Sequence, residues 1–136
     1  MSGETDLGRI LEALEVTRRE GVFVFATIPP GHQLPDLPLA AMVAEAQGTT
    51  IVLNRDIAVG AGVEFDFEAA WLTVSTHTSL EAVGVTASVS TALAVKGIPC
   101  NVLAGFHHDH LLVPFQMADE AMSAVELIRR RTLGVD

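Results

Sequence analysis

The sequence predicts a mixed α/β (α+β) fold, and three observations carry that expectation. The second half alternates strand-like and helix-like stretches in the order β-α-β-β-α. The first half supplies apolar, β-rich runs bounded by Gly and Pro. Hydrophobic residues make up 49% of the chain and charged residues 18%, enough apolar material for a real core. With 136 residues the chain has the size of one ordinary domain, or of two very small ones sharing a core.

Residues 7–18 read as an amphipathic helix. Leu7, Ile10, Leu11 and Leu14 recur at helical spacing, Thr5 or Asp6 can cap it, and Gly21 lies beyond its end. "VFVFATI", 22–28, is apolar on both faces and reads as a buried strand. Pro29, Pro30, Gly31, Pro35 and Pro38 then punctuate a loop. Leu39, Met42, Val43 and Ala46 suggest a short helix stopped at Gly48, and "TTIVL", 49–53, a strand. The glycine-containing stretch 54–68 is the best internal boundary, which divides the chain into units 1–66 and 67–136.

"AWLTVST", 70–76, alternates as a strand. Residues 80–96 read as a helix with Ala82, Val85, Val89 and Leu93 on one face, ended by Gly97. Strands follow at 98–104 and 110–115, and Ala118, Ala121, Met122, Val125 and Ile128 mark a last helix. This β-α-β-β-α order is a ferredoxin-like βαββαβ unit without its last strand. Only "TLGVD" follows the final helix, so the missing strand is expected from the first half, at 22–28, or from another chain. A faint echo, "AMVAEAQGTTIVL" beside "TALAVKGIPCNVL", hints at duplication.

Composition excludes several partners. The net charge is −9, and the largest basic cluster is Arg129, Arg130 and Arg131, so no nucleic acid is expected. The weakly polar stretch Val83–Val95 is too short and too polar to span a bilayer, so no membrane partner is expected. "MSGETDLGR" has no basic-then-apolar pattern of a secretory signal. The single cysteine, Cys100, leaves no internal disulfide and fits a reducing, cytoplasmic setting.

The stretch "THTSLEAVGVTASVSTALAVKGIPCNVLAGFHHDHLLVP", 76–114, closely resembles the small tandem ACT-domain proteins, and "GVFVFATIP" and "AEAQGTTIVL" resemble their N-terminal part. The resemblance implies two ferredoxin-like ACT-type units sharing strands. It also implies a regulatory, non-catalytic role in binding a small molecule, most often an amino acid, between modules. No cofactor is implied.

The candidate ligand site has three elements. The strand–helix turn supplies Thr78, Ser79, Leu80, Glu81, Val83 and Gly84. Thr78 or Ser79 is a plausible N-cap, and a helix N-terminus suits a carboxylate. Gly84, with Ser88 and Thr91, permits close approach and matches the glycine of the ACT pattern. Asn101 is unusual in a strand and is a candidate hydrogen-bonding residue. "GFHHDH", 105–110, reads as a hairpin loop in which Gly105 can take a positive φ. It contributes His107, Asp109 and His110. By the resemblance, Asp109 holds a ligand amine, through a charge-assisted hydrogen bond.

Each element has a plainer reading: a capped helix, a solvent-facing Asn, a polar turn. His108 and His110, joined by His77 or His32, are an alternative metal site, but the spacing matches no established ligand pattern and no metal is expected. His77, Ser79 and Glu81 lie too close together for a catalytic triad, and no nucleophile elbow occurs, so no enzyme is expected. A structural subunit with a vestigial pocket is the other alternative. An open sheet edge invites covering, so a homodimer is expected.

Overall fold

A computed structural model describes residues 6–75 and 83–134. The elements are α1 (Leu7–Glu12), β1 (Glu15–Ile28), β2 (Ala41–Glu45), β3 (Gly48–Asn54), α2 (Arg55–Ala61), β4 (Asp66–Ser75), α3 (Val85–Val95), β5 (Asn101–Ala104), β6 (Asp109–Pro114) and α4 (Ala118–Thr132). They fall into two compact units, one of residues 1–19 with 70–136 and the other of residues 20–69.

In the larger unit the strand order is β5-β6-β4-β1, and in the smaller it is β2-β3-β1-β4. Each is the second-third-first-last order of a ferredoxin-like unit. β1 and β4 run through both, each serving as first strand in one unit and last strand in the other. The larger unit thus takes its missing strand from the first half of the chain. The donated stretch is 15–19, at the start of β1, rather than 22–28.

Strand alternation builds the larger core. Ala70, Leu72 and Val74 of β4 and Leu111 and Val113 of β6 turn one way. They meet Val89 and Leu93 of α3, and Ala121, Ala124 and Val125 of α4, so both helices cover the same sheet face. Leu14 joins this core, and Val16 at the start of β1 packs against it. The smaller core gathers Val24, Ala26, Ile51 and Leu53 around Ala58, with Leu37 and Leu39 of the proline-rich loop packed against it.

Four local expectations change. The first helix stops at Glu12, capped by Asp6, whose carboxylate accepts from Arg9 N–H at 3.3 Å; Gly21 lies inside β1, not beyond a helix. Residues 41–45 form a strand instead of a helix, because a two-residue turn closes them onto β3 with Glu45 opposite Gly48. The 54–68 stretch contains α2, whose Asn54 cap accepts from Asp56 N–H at 2.8 Å and Ile57 N–H at 3.4 Å. The strand expected at 98–104 begins at Asn101. No helix among the described residues is long and apolar enough to cross a membrane.

Candidate functional site

The β5–β6 hairpin carries the histidine-rich stretch. Its register pairs Ala104 with Asp109 and Leu103 with His110, leaving residues 105–108 as the loop. Gly105 N–H donates to the His108 carbonyl at 2.9 Å and closes that loop. Gly105 is not in the left-handed region expected for it; its need is space. A Cβ there would lie 2.8 Å from the His108 carbonyl oxygen and 3.1 Å from His110 Nε2.

Alternation separates the two polar residues that open β6. Leu111 and Val113 face the helices, so Asp109 belongs to the helix-side face and His110 to the other. His110 meets β4 there. Trp71 Nε1–H donates to His110 Nδ1 at 3.2 Å, and the Thr73 hydroxyl lies 3.0 Å from the same nitrogen. The indole and imidazole rings are tilted, with centroids 5.1 Å apart. Trp71 is only 4% exposed, and the Arg19 guanidinium sits over its ring at 5.1 Å.

An indole N–H can only donate, so the Trp71 contact requires His110 Nδ1 to accept, as it does in the Nε2–H tautomer. Burial, then the neighbouring His108, push the His110 pKa below its ordinary value, against the opposing pull of Asp109. These contacts bring the first residues of β6 beside the last residues of β4. From that end of β4 the chain continues to α3.

The remaining predicted residues divide as follows. Thr78, Ser79, Leu80 and Glu81 lie outside the described residues. The N-cap of α3 is Gly84, at φ 94 with no side-chain cap, instead of Thr78 or Ser79. A Cβ on Gly84 would meet the Leu7 side chain at 3.0 Å, so this glycine lets α1 approach α3 closely. Val83 is 82% exposed. Asn101 is exposed and donates to the Leu112 carbonyl across the hairpin at 3.4 Å, a partner within the sheet. His107 is exposed at the loop tip, in edge-on contact with Phe106. Among the described residues no group of three or more His, Cys, Asp or Glu side chains converges as a metal site. Cys100 packs against the larger core, and burial raises its thiol pKa.

Both halves of the chain match models of the ACT domain, over residues 2–70 and 66–126. The chain belongs to the ACT-domain family. Among solved structures, this ACT protein is similar to a Vibrio cholerae protein of unknown function, described as a possible transport protein. Identity there is 34%, over 90% of this chain and 95% of that one, with a TM-score of 0.82. An Agrobacterium tumefaciens protein shares 17% identity over 85% of this chain and 89% of that one, with a TM-score of 0.73. The regulatory subunit of aspartate kinase from Thermus flavus shares the fold at 14% identity, over 85% and 96%, with a TM-score of 0.63. No curated protein matches in sequence.

Sequence reasoning did not find Trp71, Thr73 or Arg19 as the surroundings of His110. The signal was present. Trp71 and Thr73 are two apart on one strand, and the ferredoxin-like order makes that strand the neighbour of β6.

Proposed function

We propose that this protein is a non-catalytic regulatory ACT protein, cytoplasmic and homodimeric, that binds an amino-acid-like small molecule in its second unit. In this reading the sequence passes from its first ACT-like unit to its second near residue 66. The turn Thr78, Ser79, Leu80, Glu81, Val83 and Gly84 receives the ligand carboxylate. Asp109 takes the amine, and Asn101, His107 and His110 form the polar rim.

The observation that carries the reading is the start of β6. The hydrogen bond from Trp71 to His110 and the Thr73 contact at the same nitrogen hold the start of β6 beside the last residues of β4, and Asp109 stands on the helix side of that strand. Family membership supports the ligand class, and the regulatory subunits that share the fold support the regulatory role.

Thermal shift against the twenty amino acids and common metabolites tests it, since a ligand of the native state raises Tm by mass action. An amine-bearing ligand should raise Tm, and Asp109→Asn should abolish that rise while the fold stays intact. The lost charge-assisted bond is worth about 1.5–3 kcal/mol. Unchanged affinity in Asp109→Asn removes Asp109 from the site. A homodimer should appear in light scattering at micromolar concentration. The ends of the strand orders, β2 and β5, supply the open edges, and Met42 and Val43 are exposed on β2.

A further inference from the structure

Histidine is the side chain whose charge changes nearest neutral pH, so a histidine held by a donor-only partner is a chemical contradiction waiting for acid. His110 is in that position. Its Nδ1 accepts from the Trp71 indole, which has no acceptor to offer in return. Its Nε2 faces Gly105, at a distance that leaves no room for a side chain there. One ring therefore touches β4 on one side and the hairpin loop on the other.

We propose that His110 is a pH-sensitive latch: neutral, it pins the start of β6 to Trp71 of β4; protonated, it gives up that contact, loosens the start of β6 and the 105–108 loop while the β4–β6 pairing holds, and weakens the Asp109 site. The latch stands on geometry alone, whereas its effect on ligand rests on the function proposed above. On protonation Nδ1 gains a hydrogen aimed at the indole N–H, and donor meets donor. The Thr73 hydroxyl can still accept from Nδ1–H, so the ring has a reason to swing toward Thr73 and away from Trp71.

The surrounding charges set the bias. From β1, Arg19 disfavours the imidazolium, and from the loop His108 does the same more strongly. Asp109, next in sequence, favours it. Trp71 and Thr73 from β4 and the cross-strand partner Leu103 from β5 bring no charge.

The molecule carries its own reporter, because Trp71 is the only tryptophan. Its fluorescence, followed on the full chain without ligand from about pH 8 down to about pH 4.5, should show a one-proton change with a midpoint below 6.5. His110→Asn, whose amide oxygen still accepts from the indole, should abolish that change. Emission that stays constant over the range, or the same transition in the folded variant, overturns the latch. If the variant does not fold, the wild-type imidazole nitrogen shifts decide instead. An Nε2–H tautomer at neutral pH supports the latch and an Nδ1–H tautomer overturns it.

The ligand arm uses whichever amino acid gives the largest thermal shift at about pH 8. Its Kd should rise about tenfold once about nine-tenths of His110 is protonated, because apparent affinity follows the competent fraction. Trp71→Phe, which removes the donor that protonation opposes and lies outside the proposed ligand residues, should show no such rise. A latch seen by fluorescence with no amino acid bound at any pH refutes the ligand reading. Binding with a pH-independent Kd overturns the coupling.

Discussion

The two units share a strand order but not a crossover. In the larger, β4 passes to β5 through α3, which buries Val85, Val89 and Leu93. In the smaller, β1 passes to β2 through residues 29–40, whose four prolines, Pro29, Pro30, Pro35 and Pro38, cannot sit in a helix interior. Leu37 and Leu39 of that loop pack against the smaller core in place of a helix face. The final helices differ in the same direction. α4 buries Ala118, Ala121, Ala124 and Val125, whereas α2 buries only Ala58. One topology therefore tolerates very different amounts of helix, provided the sheet order holds. The apolar burial that stabilises it is concentrated in the larger unit.

The largest expected effect tests that imbalance. Leu111→Ala, at a site 1% exposed in the larger core, should cost about 2–5 kcal/mol in urea unfolding. A loss under about 1 kcal/mol would mean that this core does not dominate stability.

The next prediction strains the smaller unit. Gly48, at φ 146, opens β3 after the tight turn, and a Cβ there would fall 2.6 Å from the Ile28 carbonyl oxygen. Gly48→Ala should destabilise by about 1–3 kcal/mol, seen as a lower urea midpoint. A neutral result would show that the β1–β3 pairing can shift.

Asn54→Ala should cost about 1 kcal/mol, by removing the side chain that caps α2. Hydrogen exchange localises the effect: the Asp56 and Ile57 amides, which donate to Asn54, should lose protection while those of α4 keep theirs. Equal loss in both helices would mean the two units unfold together.

The smallest effect concerns acid. Burial first, and then His108, hold the folded pKa of His110 below its usual 6.5. Between the two values the unfolded chain binds more protons than the folded one. His110's contribution to stability is therefore full above about pH 6.5 and is lost as pH falls through the lowered folded value. Melting curves of wild type should decline more steeply over that window than those of His110→Asn. Parallel curves would show that the imidazole is equally easy to protonate in both states.

Half of this contrast was legible in the residues. The spacing of Val85, Val89 and Leu93 required a helix after β4, and the prolines marked a loop at 29–38, but a helix was still expected between the 22–28 and 49–53 strands. What misled was periodicity over short runs. Leu39, Met42, Val43 and Ala46 satisfy helical spacing, yet residues 41–45 are a strand, fixed by a turn and a neighbour that local pattern does not reveal. The apparent echo between "AMVAEAQGTTIVL" and "TALAVKGIPCNVL" fails for the same reason, since the first is a hairpin and the second a helix leading to a strand. Glu15–Glu20 is too polar to announce itself as a strand, and only its pairing partners make it one. The α2 helix did leave a signal: Asn54 before it, Asp56 in its first turn and a left-handed Gly62 after it. At the site, Asp109 and His110 were legible as polar residues opening a strand. Their division between opposite faces follows from register, and the indole that holds His110 lies 39 positions away.

The shared strands also carry a cost in time. Residues 14–19 leave the ribosome early, but the strand and helices they complete, β4, α3 and α4, come later. Leu14 waits for Val125 to share a core. The larger unit therefore cannot close domain by domain during synthesis, and its folding depends on contacts between the two ends of the described chain, which close slowly. Until then the start of β1 is an exposed edge, and the charged run Glu15, Arg18, Arg19 and Glu20 discourages it from pairing with the wrong strand.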